Sequence, residues 1–142
     1  MTERKGALWD VIEGRAPIAP AAATLGWKLV AIDPDEGTIQ VEFQARQEFL
    51  NPAGSVQGGF LAAMLDDTMG PALVATLAPE LFATTVELKV NYIRPARVGR
   101  LVASGRVVHR GRSICFLAGE LHDDSGALIA TATATARLVP MP

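Results

Sequence analysis

Much of the chain alternates between apolar and polar residues with a period near two, which is typical of half-buried strands. In 130–136, alanine and threonine alternate so strictly that one face carries only alanine and could lie very close to a helix. Turn-rich connections such as 33–37 and 123–126 separate several of these segments. The pattern predicts strands, joined largely as antiparallel hairpins, over 27–32, 38–43, 85–92, 101–109, 114–121 and 130–136.

The alternation within 85–92 also predicts which side chains share a face of that strand. One face would carry Val86, Leu88, Val90 and Tyr92. The other face would carry Thr85, Glu87, Lys89 and Asn91. We therefore expect the first set to be the apolar face and the second set to be the polar one.

One long segment, from about Gln57 to Leu77, is apolar on most sides and predicts a largely enclosed helix that stops before Pro79. Pro71 removes one helical hydrogen bond and crowds the carbonyl of Asp67, so a kink is expected just beyond that residue. A second, short helix is predicted over 4–14, and 21–25 is ambiguous. Strands around one central helix indicate an α+β fold. We expect a single domain over 1–142, with a helical or irregular N-terminal segment over 1–24.

Gly58 and Asp66 are eight residues apart, which is about two turns of helix, so they fall on one face. Backbone N–H groups at a helix N-terminus favour an oxyanion, and the sequence predicts that this donor and the carboxylate face one spot. An isolated acid in an apolar helix is a candidate for a functional site. Asp67 lies only about 100° round the helix and is an equal alternative for that role. A third possibility is that both acids mark the wet side of the helix.

The composition is ordinary for a soluble globular protein, but the charges are unevenly placed. The net charge of −2 argues against generic nucleic-acid binding. Between Glu87 and Glu120 there is no acid, yet seven of the 13 basic residues fall there: Lys89, Arg94, Arg97, Arg100, Arg106, Arg110 and Arg112. Because six are arginines, this stretch favours recognition of phosphate on a small polyanionic ligand. Solvated strand ends are the alternative.

Several other chemistries find no support in the residues. Cys115 is the single cysteine and is expected to pack in the core. His109 and His122 have no ligand-like spacing, so no metal site is expected, and no Gly-x-Ser-x-Gly elbow or phosphate loop occurs. No stretch approaches the roughly 20 apolar residues of a membrane span, and no signal-peptide core is recognisable. We expect a cytoplasmic protein that does not associate with membranes.

Two separated motifs resemble the hotdog-fold acyl-CoA thioesterases of the phenylacetic-acid-degradation (PaaI-like) type. The family pattern is an asparagine, then His-Gly-Gly six residues later, then an acid nine residues after the histidine. Here those positions hold Asn51, the segment 57–59 and Asp66. The segment 85–96, followed by Gly99, is similar to the third-strand motif of the family. The resemblance extends from about residue 25 to the end.

The resemblance implies an antiparallel sheet wrapped around the helix and two subunits that pair to form active sites, as a homodimer or homotetramer. Asp66 would be the nucleophile or the general base for water, and the N–H of Gly58 would polarise the thioester carbonyl. Asn51 would help to position substrate or water. Thr85 would assist the hydrolytic water, typically from the partner subunit.

The resemblance also implies where coenzyme A is held, as part of the substrate and with no separate cofactor. The segments 92–97 and 109–114 match those that grip its nucleotide and pantetheine in the family. The substrate-binding residues implied are Gly59, Tyr92, Arg94, Pro95, Arg97, Arg110, Gly111 and Arg112.

Gln57 replaces the usual histidine of the motif. Its amide can donate to a carbonyl oxygen but cannot shuttle protons near neutral pH. The sequence therefore predicts an acyl-CoA thioesterase that depends on Asp66. A hydrolase of acyl groups on acyl carrier protein and a non-catalytic acyl-CoA-binding module are the alternatives.

Overall fold

The computed structural model describes residues 3–142; Met1 and Thr2, which belong to the predicted N-terminal segment, lie outside them. Two short helices, α1 (Ala7–Ile12) and α2 (Pro20–Leu25), precede the strands. The predicted first helix is therefore shorter than 4–14, and the ambiguous segment 21–25 is helical. Proline suits the first position of a helix because its missing N–H would have no partner there.

Within the described residues the sheet has six antiparallel strands, in the order β1-β2-β4-β5-β6-β3. Both β1 and β3 are therefore edge strands. All six predicted strands are confirmed, most of them with longer bounds than predicted. They are β1 (Lys28–Asp33), β2 (Thr38–Ala45), β3 (Leu81–Tyr92), β4 (Gly99–Arg110), β5 (Ile114–Asp123) and β6 (Leu128–Pro140).

The long helix α3 (Gly58–Val74) follows β2 and a short 3-10 helix (Gln47–Phe49). It ends three residues before the predicted Leu77, and Ala75, Thr76 and Leu77 continue as hydrogen-bonded turns. Its buried residues recur at helical spacing and form the centre of the core: Leu61, Met64, Leu65, Thr68, Met69, Ala72 and Leu73.

Small residues in the sheet allow α3 to lie close to it. All four alanines of 130–136 are buried in the core, as the alternation predicts. Gly105 and Gly119 pair across β4 and β5 under the helix. A Cβ added to Gly105 would lie 3.2 Å from Thr68, and one added to Gly119 would lie 3.1 Å from Met69. The sheet therefore holds α3 at a short and fixed distance.

Candidate active site

Asp66 lies near the middle of α3 and is half-buried. Its Oδ1 accepts a hydrogen bond of 2.9 Å from the hydroxyl of Thr85 on β3. Both residues belong to the same chain, whereas the resemblance implied that Thr85 would reach the site from a partner. The contact fixes the orientation of the carboxylate through one of its oxygens and leaves the other oxygen for chemistry.

A β-bulge directs Thr85 towards α3. Thr85 pairs with Ala136 and Glu87 pairs with Thr135, so Val86 is an extra residue with no partner in the ladder. Since the alanines of β6 face the core, their partners Thr85 and Leu88 face it too, and Val86 is 57% exposed. The predicted faces of 85–92 are therefore wrong for Thr85 and Val86, because strict alternation does not allow for an inserted residue.

Asp67, the neighbour of Asp66, lies in a much less polar environment. Its Oδ2 is shut off from solvent and has no hydrogen-bond partner among residues 3–142. Burial, and secondarily the charge of Asp66, raises the pKa of Asp67 to about 6. The sequence predicted that burial would disfavour the charged form of an acid on this helix, and in the structure that acid is Asp67.

The backbone carbonyl of Asp67 has an unusual partner. Pro71, four residues on, has no N–H to donate to it, and the helix continues through Pro71 to Val74. Instead, Nε1 of Trp27 donates to this carbonyl oxygen at 2.9 Å. The sequence predicted that the Asp67 carbonyl would lose its helical hydrogen bond. It could not predict that Trp27, 40 residues away, would be the donor.

Asp66, Asp67 and Thr85 all line one cavity of about 510 Å³. We call it the N-terminal cavity, because α1, α2 and the segments beside them form one of its walls. The opposite walls are the face of α3 around Gly70 and the beginning of β3. Sequence reasoning missed this cavity, since no local pattern placed the first 25 residues against α3.

The N-terminus of α3 is the second part of the candidate site. Gln57 is its N-cap residue and is exposed, and its side chain makes no capping hydrogen bond. Gly58 is the first helical residue, so its N–H has no partner within the helix. The hydroxyl of Tyr92 donates to the carbonyl of Gly58 at 2.8 Å, and a Cβ added to Gly58 would lie 3.0 Å from the Tyr92 ring. Tyr92, which the resemblance implied as a coenzyme A contact, thus braces this end of the helix.

Asn51 shapes the loop before α3. Its Oδ1 accepts hydrogen bonds from the backbone N–H groups of Ala53 and Ser55, at 2.9 and 3.2 Å. Its Nδ2 donates to the hydroxyl of Ser55 at 3.2 Å. These contacts are those of an Asx turn, so the side-chain oxygen is engaged by the loop.

Gly58 and Asp66 do not meet within one chain. They share a face of α3, but eight residues at ~1.5 Å per residue separate them by about 12 Å along the axis. A single carbonyl group cannot contact both. The expectation that donor and acid face one spot is therefore wrong for the isolated chain, because shared helical phase does not imply proximity.

The basic stretch is also divided between two ends of the sheet. Arg94 and Arg97 follow β3 near the N-terminus of α3, where the carbonyl of Ala96 accepts from the N–H of Val56. Arg110 lies at the other end of β4 and donates to the carbonyl of Thr76, beyond the C-terminus of α3. Since β4 has 12 residues, its ends are roughly 36 Å apart.

The other residues predicted to bind coenzyme A lie at the same two ends of the sheet. Arg94 donates to the carbonyl of Leu128 at 3.1 Å, and Pro95 is exposed beside it. Gly111 is required by its turn, because an added Cβ would lie 2.3 Å from the carbonyl oxygen of Ile114. Gly59 and Arg112 are exposed, and a Cβ added to Gly59 would meet open space.

An antiparallel sheet wrapped around one long helix is the hotdog fold, and here the acid-bearing face of that helix lies beside a cavity. The chain belongs to the Thioesterase superfamily, whose family model matches residues 53–130. The fold and enzyme class predicted from the sequence are thereby confirmed.

Among similar solved structures is a phenylacetic acid degradation-related protein of Ralstonia eutropha JMP134. It is 41% identical, its TM-score is 0.89, and the match covers 92% of this chain and 98% of that one. The PaaI protein of Escherichia coli shares the fold at 21% identity, with a TM-score of 0.82 and 93% of each chain covered. Human acyl-coenzyme A thioesterase 13 is 27% identical over 97% of this chain and 99% of its own length.

Residues 3–142 contain neither a candidate membrane span nor a candidate metal site. None of the helices there has the length and apolar character needed to cross a bilayer. No group of three or more His, Cys, Asp or Glu side chains there could hold a metal ion. The cytoplasmic location expected from the sequence stays a prediction.

Proposed function

We propose that this protein hydrolyses acyl-CoA thioesters to a free carboxylic acid and coenzyme A, with Asp66 as the reacting acid. The observation that carries the proposal is the hydrogen bond from Thr85 to Asp66 at the wall of the N-terminal cavity. It leaves an oriented carboxylate oxygen beside a space that an acyl group can enter. The full-length similarity to an acyl-coenzyme A thioesterase supports the choice of substrate.

Asp66 can act in two ways. As general base it takes a proton from water while the water oxygen bonds to the thioester carbon. As nucleophile it bonds to that carbon itself and forms an anhydride, which water then hydrolyses. In both routes the carbon–sulfur bond breaks, and the coenzyme A thiolate leaves and takes up a proton. Thr85 would keep the carboxylate aligned throughout.

A second copy of the chain would complete the site. Because Gly58 and Asp66 are about 12 Å apart on one helix, the N–H that stabilises the oxyanion beside Asp66 would come from Gly58 of the other copy. In a two-fold dimer this exchange is reciprocal and gives two equal sites. One oxyanion donor is worth about 3 kcal/mol of transition-state stabilisation. The exposed amide of Gln57 could add a second hydrogen bond to the carbonyl.

The exposed arginines at the two ends of the sheet would bind the phosphates of coenzyme A. Guanidinium groups match phosphate oxygens in geometry and stay charged at any physiological pH. Arg97 and Arg112 form no ion pair within residues 3–142, so their charges would be open to a ligand. Arg100 is a poorer choice, because it already pairs with Glu42 and Asp124.

The test is release of thiol from a panel of aromatic and aliphatic acyl-CoAs by the wild type and by Asp66→Asn. We expect the variant to lose about 10²- to 10⁴-fold in kcat, the usual contribution of a positioned general base, with its fold intact by circular dichroism. Asp35→Asn, the same change in an exposed turn between β1 and β2, is the matched control and should behave as wild type.

The other results would each point elsewhere. Full activity in Asp66→Asn combined with loss in Asp67→Asn would move the role to Asp67. Faster release from the same acyl group on acyl carrier protein would change the substrate. Saturable binding of acyl-CoA with no release of thiol from any substrate would refute hydrolysis.

A further inference from the structure

The N-terminal cavity continues directly from the candidate catalytic residues. Asp66 and Thr85 form part of its wall, so an acyl group whose carbonyl lies at Asp66 has this space next to it. Its volume of about 510 Å³ is within the range of ~300–1,000 Å³ common for small-molecule sites. A site of this size takes the body of a compact acyl group.

The walls of the cavity are largely apolar and include the aromatic residues Trp9 and Trp27. Trp9 comes from α1, and Trp27 is the residue before β1. Aliphatic side chains complete the walls, among them Leu25, Val74 and Leu81. Aromatic and aliphatic walls favour a hydrocarbon ligand, because its transfer from water is driven by burial of apolar surface.

Asp67 places a buried polar atom in this largely apolar lining. Its Oδ2 lacks a hydrogen-bond partner within the described residues, and its nearest charged neighbour, Asp66, has the same sign. The one basic residue in the lining, Lys5, is exposed and forms no ion pair within 3–142. A buried acceptor without a donor is costly, and a ligand that supplies the donor removes that cost.

We propose that the N-terminal cavity is the acyl pocket and that Asp67 selects acyl groups that carry a hydroxyl on an otherwise apolar body. This inference rests on the proposed thioesterase function, since it is the thioester at Asp66 that places the acyl group in the cavity. The hydroxyl donates to the carboxylate of Asp67 while the rings of Trp9 and Trp27 cover the hydrocarbon.

Discrimination should come from the pairing of a charged acceptor with a neutral donor. A hydrogen bond to a charged group is among the stronger ones, so we expect the hydroxylated acyl group to be preferred by about 10- to 100-fold. The preference would be larger than that produced by one methylene in an apolar pocket only if the hydroxyl reaches Asp67. Its position along the acyl group is therefore part of the test.

The experiment uses matched pairs of substrates with the full-length protein. One pair is 3-phenylpropanoyl-CoA and 3-(4-hydroxyphenyl)propanoyl-CoA, and a second set is octanoyl-CoA with its 6-hydroxy and 8-hydroxy forms. We would measure kcat/KM for the wild type, Asp67→Asn, Asp67→Leu and the control Asp35→Asn. In the wild type and the control, at least one hydroxylated form should be preferred by 10-fold or more. In Asp67→Leu the preference should reverse.

Binding gives a second measurement that does not depend on turnover. Calorimetric titration of Asp66→Asn with the same pairs should show the same preference as a ratio of Kd values, and the double variant Asp66→Asn/Asp67→Leu should lack it. Equal kcat/KM and equal Kd within every pair would overturn the inference. If Asp67→Leu does not fold, Asp67→Asn serves as the test. Its preference for the hydroxylated acyl group must be at least several-fold smaller than that of the wild type.

Failure of the parent proposal would look different. If no acyl-CoA, acetyl-CoA included, releases thiol, the thioesterase proposal fails, and the Kd ratios alone then support or overturn the role of Asp67. If all acyl-CoAs are hydrolysed in an Asp66-dependent way but without preference for a hydroxyl, the thioesterase proposal stands and the role of Asp67 is refuted.

Discussion

Asp66 and Asp67 show how far the environments of adjacent carboxylates can differ. They are consecutive on one helix, and both line the N-terminal cavity. Asp66 accepts a hydrogen bond from Thr85, whereas Asp67 has a buried oxygen with no donor among residues 3–142. The difference comes from the roughly 100° of rotation between consecutive helical residues, which turns one side chain towards β3 and the other into apolar surroundings.

Asp67 should make the stability of the protein depend on pH. Its pKa is raised from 3.8 to about 6 in the folded protein, so its neutral form favours the folded state. This contribution is fully present below about pH 4 and is lost as the pH rises through 6. Asp67→Asn has no carboxylate to deprotonate and should not lose this stability. At pH 7.5 its free energy of unfolding should exceed that of the wild type by about 1 to 2 kcal/mol, after allowance for partial exposure.

Urea unfolding of both proteins at one protein concentration, from pH 4 to pH 8, measures this difference directly. Groups common to both proteins cancel in the comparison, so the gap between the two curves should open between pH 4 and pH 6.5. A constant gap over that range would show that the carboxylate of Asp67 is not desolvated in solution.

At the scale of elements, the bulge at Val86 decides which side chain of β3 reaches the helix. Without it, Thr85 would point away from α3 with Glu87 and Lys89. The added residue shifts the alternation by one position, and bulges beside active sites often re-aim a side chain in this way. A single backbone irregularity thereby supplies the hydrogen bond to Asp66.

Thr84 and Thr85 are a matched pair for testing whether the bulge at Val86 turns Thr85 towards Asp66. Thr85→Ala removes a hydrogen bond to a carboxylate and should lower kcat by about 10- to 100-fold. Thr84→Ala removes the same hydroxyl from the opposite, exposed face and should leave kcat as in the wild type. Steady-state thiol release measures both, and equal effects from the two variants would contradict the bulged register.

The carbonyl of Asp67 connects α3 to the segment before β1, because Pro71 cannot donate to it and Trp27 does. Trp27→Phe leaves the carbonyl of Asp67 without a donor and should lower the free energy of unfolding by about 1 to 3 kcal/mol. Pro71→Ala restores an N–H that can donate to that carbonyl from within the helix. The double variant should therefore lose less stability than the sum of the two single changes.

Denaturant unfolding of the wild type, both single variants and the double variant gives this coupling energy. Trp27→Phe keeps an aromatic ring in the cavity wall, which limits the contribution of lost packing. Strictly additive effects would show that the indole N–H does not serve the carbonyl.

At the scale of the whole molecule, the sequence predicted the strands, the central helix and the enzyme class, because strong periodicity and two spaced motifs carry that information. It did not predict the bulge at Val86, since a pattern of period two has no place for an unpaired residue. Nor did it predict the contact of Trp27 with the Asp67 carbonyl or the N-terminal cavity. Those depend on packing between distant segments, which local patterns do not encode.

A composite site predicts recovery of activity when two inactive variants are mixed. Gly58→Pro removes the N–H, and proline is tolerated both by the first helical position and by the extended backbone of Gln57 (φ −60°, ψ 136°). Co-refolded at equal amounts with Asp66→Asn, it should form mixed dimers in which one of the two sites has both Asp66 and Gly58. The mixture should regain about a quarter of wild-type activity for two-fold pairing.

Gly58→Ala is the control for this pair, because it adds the same Cβ against Tyr92 but keeps the N–H. It should therefore retain far more activity than Gly58→Pro. If Gly58 and Asp66 acted within one chain, every site in the mixture would carry one defect and no activity would return.

The position of β3 at the border of the sheet also affects how the protein must be made. Among residues 3–142, its 12 residues have no hydrogen-bonded neighbour on one side, so a newly synthesised copy exposes that open ladder. In the proposed dimer, pairing with a second copy would be a bimolecular step, and aggregation, which recruits many copies, rises more steeply with concentration. Slow, dilute production should therefore give a higher soluble yield than rapid overexpression.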